Sequence, residues 1–211
     1  MGKENSICTF YLVRHAESEA NVKQIFGGNY PLTQKGIEQA NARANELKPV
    51  HFDLVFSSDL LRARHTAEIL ALEHKLVIEA KKVLRERHYG SWEGKTVAEI
   101  EKTFSHYFKQ LNTLAQKEYM ISKSEPQQEN GEEVIGRVIT FMREIALAYP
   151  GKNILIVTHG DVMHMLLIHL GWATFSERET YSIHNTGYMV IQTDGVEFEI
   201  LKTAGINKPN L

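Results

Sequence analysis

ICTFYLV, at residues 7–13, decides the fold class, because it is a nearly unbroken run of apolar and β-favouring residues. A run of this kind is typical of a strand that is buried on both faces of a parallel sheet. Similar runs follow at residues 53–56 (DLVF) and 153–157 (NILIV), and a further short strand is predicted near residues 76–78. The sheet is therefore expected to join strands that lie far apart in the sequence.

Stretches with helix signals separate these strands. Thr33 can cap a helix over Gln34–Leu47, and Asp59 can cap a second helix that reaches about Leu72. Later helices are predicted at residues 96–117, 132–148 and 160–170. Strands that alternate with helices favour a mainly parallel sheet. The predicted fold class is therefore α/β, a three-layer sandwich with a mainly parallel central sheet and helices on both faces.

The C-terminal part of the sequence predicts an antiparallel ending to this sheet. Residues 188–200 form a hairpin pattern, and residues 202–211 are interpreted as a tail. Residues 95–131 are interpreted as a helical and loop insertion near the candidate active site that is described below. Within that insertion, the polar residues 119–131 predict a mobile loop.

The composition narrows the classes of function. The 211 residues, with 43% hydrophobic and 24% charged side chains, suit one globular domain over residues 1–211. A net charge of -2 does not supply the basic surface that nucleic-acid binding needs, and no apolar run is long enough to cross a bilayer. Cys8 is the only cysteine, so no intrachain disulfide can form. We expect a cytoplasmic monomer or homodimer with no nucleic-acid and no membrane partner.

Two histidines follow predicted strands at the point where each strand ends. His15 comes after the first strand in LVRHAE, and His159 comes after the third in LIVTHGD. Ligands of open α/β sheets bind outside the carboxyl ends of the strands. Arg62 lies on the first turn of the helix that follows another strand, and Arg14 precedes His15. We therefore expect these four side chains to converge on one point.

This set of side chains predicts a phosphate site that contains a nucleophile. The guanidinium groups of Arg14 and Arg62 can each bind two phosphate oxygens, and the N–H of Gly160 adds the dipole of a helix start. His15 would attack phosphorus from a neutral ring whose other nitrogen is held by a backbone carbonyl. His159 would donate to an equatorial oxygen as negative charge develops.

The other histidines do not form a metal-ligand pattern. His159, His164 and His169 recur every five residues, which spreads them around a helix. A zinc pair on one helix face needs a spacing of four residues. We therefore expect no metal at the site.

Six segments, which span roughly residues 10–165, read in order LVRHAESEAN, YPLTQKGIEQA, SSDLLRARHTAE, LRERHYGSWEG, ENGEEVIGRV and VTHGDVM. Together they resemble the histidine phosphatase (phosphoglycerate mutase-like) superfamily, and this order is hard to obtain by chance. One departure is Glu133, because the family often has serine after the Gly-Glu pair.

The resemblance implies a phosphoglycerate mutase-like fold and a role for each matched residue. His15 would be phosphorylated, and Glu86 would donate a proton to the leaving group. A carboxyl group can do so near neutral pH only if burial or nearby negative charge holds its proton. The residues that would bind the phosphoryl group are Arg14, Asn21, Arg62 and His159. From the sequence alone, Asn21 could equally cap a loop.

Candidate substrate-binding residues surround these positions. His88, Tyr89 and Trp92 are candidates because they follow Glu86 closely. Gly27 and its neighbour could bring a loop to the substrate, or they could form a plain turn. The predicted substrate-binding residues are Asn21, Gly27, Arg87, His88, Tyr89 and Gly160.

The favoured function is a metal-independent phosphatase that acts on small phosphorylated molecules without a cofactor. SWEG after ERHYG resembles phosphatases, and Val97 stands where mutases carry a lysine. ERHYG itself is typical of mutases, so a bisphosphoglycerate-dependent mutase, with 2,3-bisphosphoglycerate as its primer, is the alternative. A non-catalytic module that binds phosphate or phosphopeptide is a third hypothesis, although pure binding needs neither a nucleophile nor an acid.

Overall fold

The computed structural model describes residues 7–111, 113–177 and 180–207. Its strands are β1 (Cys8–Arg14), β2 (Leu54–Ser57), β3 (Ile78–Ala80), β4 (Asn153–Thr158), β5 (Ser182–Thr193) and β6 (Phe198–Asn207). In the described residues they form one six-stranded sheet in the order β3-β2-β4-β1-β5-β6. The first four strands in this order pair in parallel, and β5 and β6 are antiparallel. The predicted mainly parallel α/β sheet is confirmed.

Helices cover both faces of the sheet. The α-helices of the described residues are α1 (Glu19–Lys23), α2 (Gln34–Leu47), α3 (Leu61–Ala71), α4 (Val97–Leu111), α5 (Gln116–Ile121), α6 (Gly131–Ala148) and α7 (Gly160–His169). One apolar cluster joins α2 and α3 to the sheet, and a second joins α6 and α7 to it. Within the described part of the chain, no helix has the length and apolar character to span a membrane.

The central strands explain why both faces need helices. In β1, Phe10 and Leu12 pack in the cluster of α6 and α7, whereas Val13 packs in the cluster of α2 and α3. In β4, Ile156 packs in the cluster of α6 and α7, and Leu155 packs in the cluster of α2 and α3. Burying one such side chain contributes about 1.5–3 kcal/mol relative to leaving it in water. An apolar strand of this kind is therefore stable only between two layers.

Capping by a side chain was predicted for two helices, with different outcomes. Thr33 Oγ1 accepts a hydrogen bond from Gly36 N at 3.0 Å, and α2 has the predicted bounds. Asp59 does not cap α3, because both of its carboxylate oxygens bind Arg85, at 2.6 and 2.7 Å. The helix begins instead after Leu60, whose backbone is extended. The prediction for Asp59 is therefore wrong.

The helix predicted over residues 96–117 is interrupted. Phe104 leaves helical torsion angles inside α4, where its ring packs on Trp92 with centroids 5.2 Å apart. Ala115 is extended, and α5 begins at Gln116. The insertion therefore folds as two helices.

Residues 119–131 are not a loop throughout, because residues 119–121 belong to α5. The polar remainder is hydrogen-bonded to the segment that follows Glu86. Gln128 Nε2 donates to Tyr89 O at 3.0 Å, and Ser91 Oγ donates to Glu125 Oε2 at 2.6 Å. These contacts fasten the insertion to the rim of the site.

The chain end also differs from the prediction. Residues 202–207 are part of β6, which pairs with β5 through Tyr188 and Ala204, so they are not a tail. Residues 208–211 lie outside the described residues. β3 begins at Ile78, at the end of the stretch predicted as a strand.

Candidate active site

Two neighbouring parallel strands end side by side at the site. Arg14, the last residue of β1, is in register with Thr158, the last residue of β4. The next residue of each chain segment is a histidine, and the ring centroids of His15 and His159 are 5.1 Å apart. The backbone N–H of His15 donates to Thr158 O at 2.9 Å. The predicted convergence of the two histidines is confirmed.

The ring of His15 is held in one tautomer. Its Nδ1 lies 2.7 Å from Ala16 O, and a carbonyl can only accept, so Nδ1 carries the proton. Its Nε2 then has a free electron pair and accepts from Arg62 Nε at 3.1 Å. The pKa of His15 lies well below its usual range, because burial and then the charges of Arg62 and Arg14 disfavour the imidazolium ion. His15 is therefore a neutral ring whose unprotonated Nε2 is directed at Arg62.

Both arginines are fixed by backbone oxygens. Arg62, on the first turn of α3, is 4% exposed, and its Nη1 donates to Gly28 O at 2.7 Å. Arg14 donates from Nη1 to Ile183 O. A Cβ atom on Gly160 would lie 3.3 Å from Arg14 Nε, so the glycine allows this close approach to the start of α7.

His159 is fully buried with its hydrogen-bonding capacity unused. Neither ring nitrogen has a hydrogen-bond partner among the described residues, and the side chain is 0% exposed. Burial, followed by the charge of Arg62, holds the pKa of His159 well below its usual range. An unsatisfied buried polar group costs about 1–3 kcal/mol. A ligand oxygen beside His15 would remove this cost by accepting from the ring.

Glu86 faces the histidines from the loop after Leu84. Its Oε1 accepts from Arg87 N at 3.0 Å, and its Oε2 accepts from Asp161 N at 3.4 Å. Burial and then the negative charge of Asp161 raise the pKa of Glu86 to about 7. The carboxyl group therefore retains a proton near neutral pH, which is the condition for a general acid.

Arg14, His15, Arg62 and Glu86 line a cavity of about 270 Å³, whereas the fully buried His159 does not line it. The predicted residues that line it are Arg14, His15, Asn21, Gly27, Arg62, Glu86, Tyr89 and Gly160. The wall also contains apolar side chains, among them Phe26 and Val97. The cavity thus combines two guanidinium groups, an unprotonated imidazole nitrogen and a carboxyl group with a partly apolar wall.

Comparison with known proteins identifies a family: the model of the histidine phosphatase superfamily (branch 1) matches residues 10–204. The chain belongs to the histidine phosphatase superfamily. It is 33% identical over 165 residues to a 2,3-bisphosphoglycerate-dependent phosphoglycerate mutase of Cytophaga hutchinsonii, with 75% of each chain covered. It is 30% identical over 164 residues to the adenosylcobalamin/alpha-ribazole phosphatase of Escherichia coli, with 76% and 77% covered.

The fold of this member of the superfamily agrees with that of a solved structure. YhfR of Bacillus stearothermophilus superposes with a TM-score of 0.81 over 92% of this chain and 95% of that chain, at 29% identity. The relatives of this chain include both phosphatases and mutases.

Arg87 and His88 are predicted substrate-binding residues that do not line the cavity around His15. Arg87 donates from Nε to Glu129 O at 2.7 Å, and His88 Nδ1 lies 2.9 Å from Gln127 O. Both line an adjoining cavity of about 470 Å³. Contacts with residues 127–129 turn these side chains away, which sequence spacing does not indicate.

Trp92 is also a supporting residue and does not line the cavity. It is 5% exposed and packs against Phe26 at 5.6 Å between ring centroids. Phe26 lines the cavity, so Trp92 supports the cavity wall from behind by packing against Phe26.

Asn21 takes part in the cap of α1 and also lines the cavity, whereas its contact with a phosphoryl group stays a prediction. Its Oδ1 accepts from Ser18 N at 3.0 Å and caps α1, and its side chain lines the cavity. Asn185 Nδ2 contacts the same oxygen at 3.3 Å and donates to His15 O at 3.0 Å. Asn185 had no signal in the sequence, because β5 reaches the site only through antiparallel pairing with β1.

The segment VTHGDVM contains Asp161, but its pattern predicts no role for this residue. It lies on the first turn of α7, lines the cavity and contacts the acid Glu86. Its place two residues after His159 was the available signal.

Proposed function

We propose that this histidine phosphatase family member hydrolyses small phosphomonoesters through a phosphohistidine on His15. The observation that carries the proposal is the geometry of that ring. Nδ1 is occupied by Ala16 O at 2.7 Å, and Nε2 faces Arg62 in the cavity. A buried neutral imidazole in this arrangement is a nucleophile, whereas a binding site for phosphate alone would need only the cations.

In the first step, Nε2 of His15 attacks phosphorus in line with the ester oxygen. The N–P bond forms as the P–O bond breaks, and Glu86 gives its proton to the leaving oxygen. Arg14, Arg62 and a ring N–H of His159 stabilise the charge on the equatorial oxygens. The products are phosphohistidine, an alcohol and the Glu86 carboxylate.

In the second step, water attacks the phosphorus of phosphohistidine. The Glu86 carboxylate takes one proton of that water as the O–P bond forms and the N–P bond breaks. Inorganic phosphate leaves, and His15 and protonated Glu86 are restored. Neither step requires a cofactor.

Hydrolysis is favoured over mutase chemistry by the wall of the cavity. Val97 lies in this wall, at the position where mutases carry a lysine, and it cannot bind a substrate carboxylate. The 33% identity to a phosphoglycerate mutase favours the alternative, in which 2,3-bisphosphoglycerate primes the enzyme. A panel of phosphoglycerates, sugar phosphates and nucleotides separates the two, because a mutase would isomerise 3-phosphoglycerate faster than it releases phosphate.

The phosphoenzyme is the first testable prediction. Brief incubation with a labelled phosphoryl donor should leave acid-labile, base-stable label on the protein, and His15→Ala should abolish it. His65→Ala is the matched control, because His65 is exposed on α3. Label that persists in His15→Ala would contradict the proposal. Failure of the parent to release p-nitrophenol from p-nitrophenyl phosphate would favour the binding module instead.

A further inference from the structure

Asp161 is a charged residue of the cavity that the two steps above do not use. Tyr89 Oη donates to Asp161 Oδ2 at 2.8 Å. The backbone N–H of Asp161 lies 3.4 Å from Glu86 Oε2. All three residues line the cavity around His15. A second carboxylate is thus fixed beside the general acid, on the helix that begins after His159.

We propose that Asp161 is a positioning residue for the acid: its carboxylate, oriented by Tyr89, keeps the proton on Glu86 until the leaving group takes it. The inference rests on the proposed function, because Glu86 must enter the first step protonated. The negative charge of one carboxylate disfavours ionisation of a carboxyl group beside it, so Asp161 favours the protonated form of Glu86. Asp161 performs this task before any substrate charge arrives.

Tyr89 orients the carboxylate of Asp161. Its hydroxyl is a donor to Oδ2 of Asp161, so that oxygen acts as an acceptor. Burial, followed by the charge of Asp161, raises the pKa of Tyr89, and the hydroxyl therefore stays protonated. The oxygens of Glu86 instead meet backbone N–H groups, at 3.0 and 3.4 Å. The phenol therefore fixes the Asp161 side chain beside Glu86.

Some of the groups near Glu86 disfavour the protonated form of its carboxyl group. The titratable and charged groups in the cavity of His15 are Arg14, His15, Arg62, Tyr89 and Asp161, and those that share the adjoining cavity with Glu86 are Lys82, Arg85, Arg87, His88, Glu93, Glu129 and Arg137. Arg62 favours the ionised form of Glu86, as do the backbone donors. Burial and Asp161 outweigh them and keep the pKa of Glu86 at about 7. Removing Asp161 therefore removes one of the two causes that hold the proton.

The direct test is a titration of the Glu86 carboxyl carbon by NMR in the full chain, with the signal assigned by its absence in Glu86→Gln. The parent should titrate near pH 7. In Asp161→Asn, which keeps an acceptor for Tyr89 but loses the charge, the midpoint should fall by roughly one pH unit. Glu68→Gln loses the same charge at an exposed position and should not move the midpoint. An unchanged midpoint in Asp161→Asn overturns the proposal.

The rate gives a second readout. With an alkyl phosphate, the alkaline limb of the kcat/KM profile should move toward acid in Asp161→Asn. A purely structural role would lower the rate equally at every pH and would overturn the inference. Asp161→Ser serves as the second variant if circular dichroism shows that Asp161→Asn does not fold. Absence of His15 label in the parent would contradict the proposed function, whereas the titration of Glu86 tests Asp161 without any phosphoryl transfer.

Discussion

At the residue scale, the division of labour between Glu86 and His15 can be tested with one substitution. Glu86→Gln keeps the shape but cannot give a proton, so turnover of alkyl phosphates should fall about 10²- to 10⁴-fold. Phosphorylation of His15 by p-nitrophenyl phosphate should suffer less, because that leaving group departs without protonation. Burst measurements across leaving groups of rising pKa should give a steeper dependence in the variant. Parallel lines would remove the acid role from Glu86.

The residues that could be predicted are those whose position follows from the ends of strands. Arg14, His15 and His159 are placed by the register of β1 and β4, which apolar runs reveal. The direction of a loop side chain depends on distant partners instead. His88 follows Glu86 closely, yet its contact with Gln127 O turns it to another cavity. No local pattern contains that information.

At the scale of elements, α2 is packed so closely on the loop after His15 that one added methyl group should disturb it. A Cβ atom on Gly36 would lie 2.0 Å from Glu17 O, a backbone atom that cannot swing away. Gly36→Ala should therefore lower the free energy of unfolding by about 1–3 kcal/mol. Gly136→Ala on α6 is the matched control, because nothing lies within 4 Å of its Cβ position. Urea unfolding should show this control stabilised by about 0.5–1 kcal/mol, and equal effects would contradict the packing argument.

The elements that were predicted well carry their signals locally. α2 has its cap at Thr33 and an apolar stripe of its own, so its bounds follow from the sequence. The start of α3 was misjudged because the ion pair with Arg85 occupies Asp59. Residues 202–207 have no continuous apolar run, and pairing with β5 makes them a strand. Tertiary contacts override local propensity at both places.

At the scale of the whole molecule, metal independence is still a prediction. The described residues contain no group of three or more histidine, cysteine, aspartate or glutamate side chains arranged to hold a metal ion. In the proposed mechanism, Arg14, Arg62 and His159 bind the charged phosphoryl oxygens without a metal ion. Phosphatase activity should therefore persist after exhaustive chelation. Recovery of a chelated enzyme only on addition of Mg²⁺, Mn²⁺ or Zn²⁺ would contradict this expectation.

The buried histidines and the buried Glu86 should change the stability of the whole molecule in opposite directions as the pH falls. The pKa of His15 and the pKa of His159 are lowered from 6.5 in the folded chain. The unfolded chain therefore takes up their protons first, and stability falls as pH falls through about 6.5. The pKa of Glu86 is raised from 4.5 to about 7, so the folded chain takes up that proton first. Its contribution is fully present below pH 4.5 and is lost as pH rises through about 7.

Glu86→Gln isolates the second effect, because glutamine does not titrate and leaves both histidines in place. Between pH 8 and pH 5, protonation of Glu86 should stabilise the parent by about 2 kcal/mol relative to this variant. The free energies of urea unfolding of the two proteins should therefore diverge as the pH falls, with the variant losing more. Glu68→Gln, on the exposed face of α3, should follow the parent at every pH. Parallel curves for Glu86→Gln and the parent would mean that the fold does not hold a proton on Glu86, and the acid would then have to come from another group.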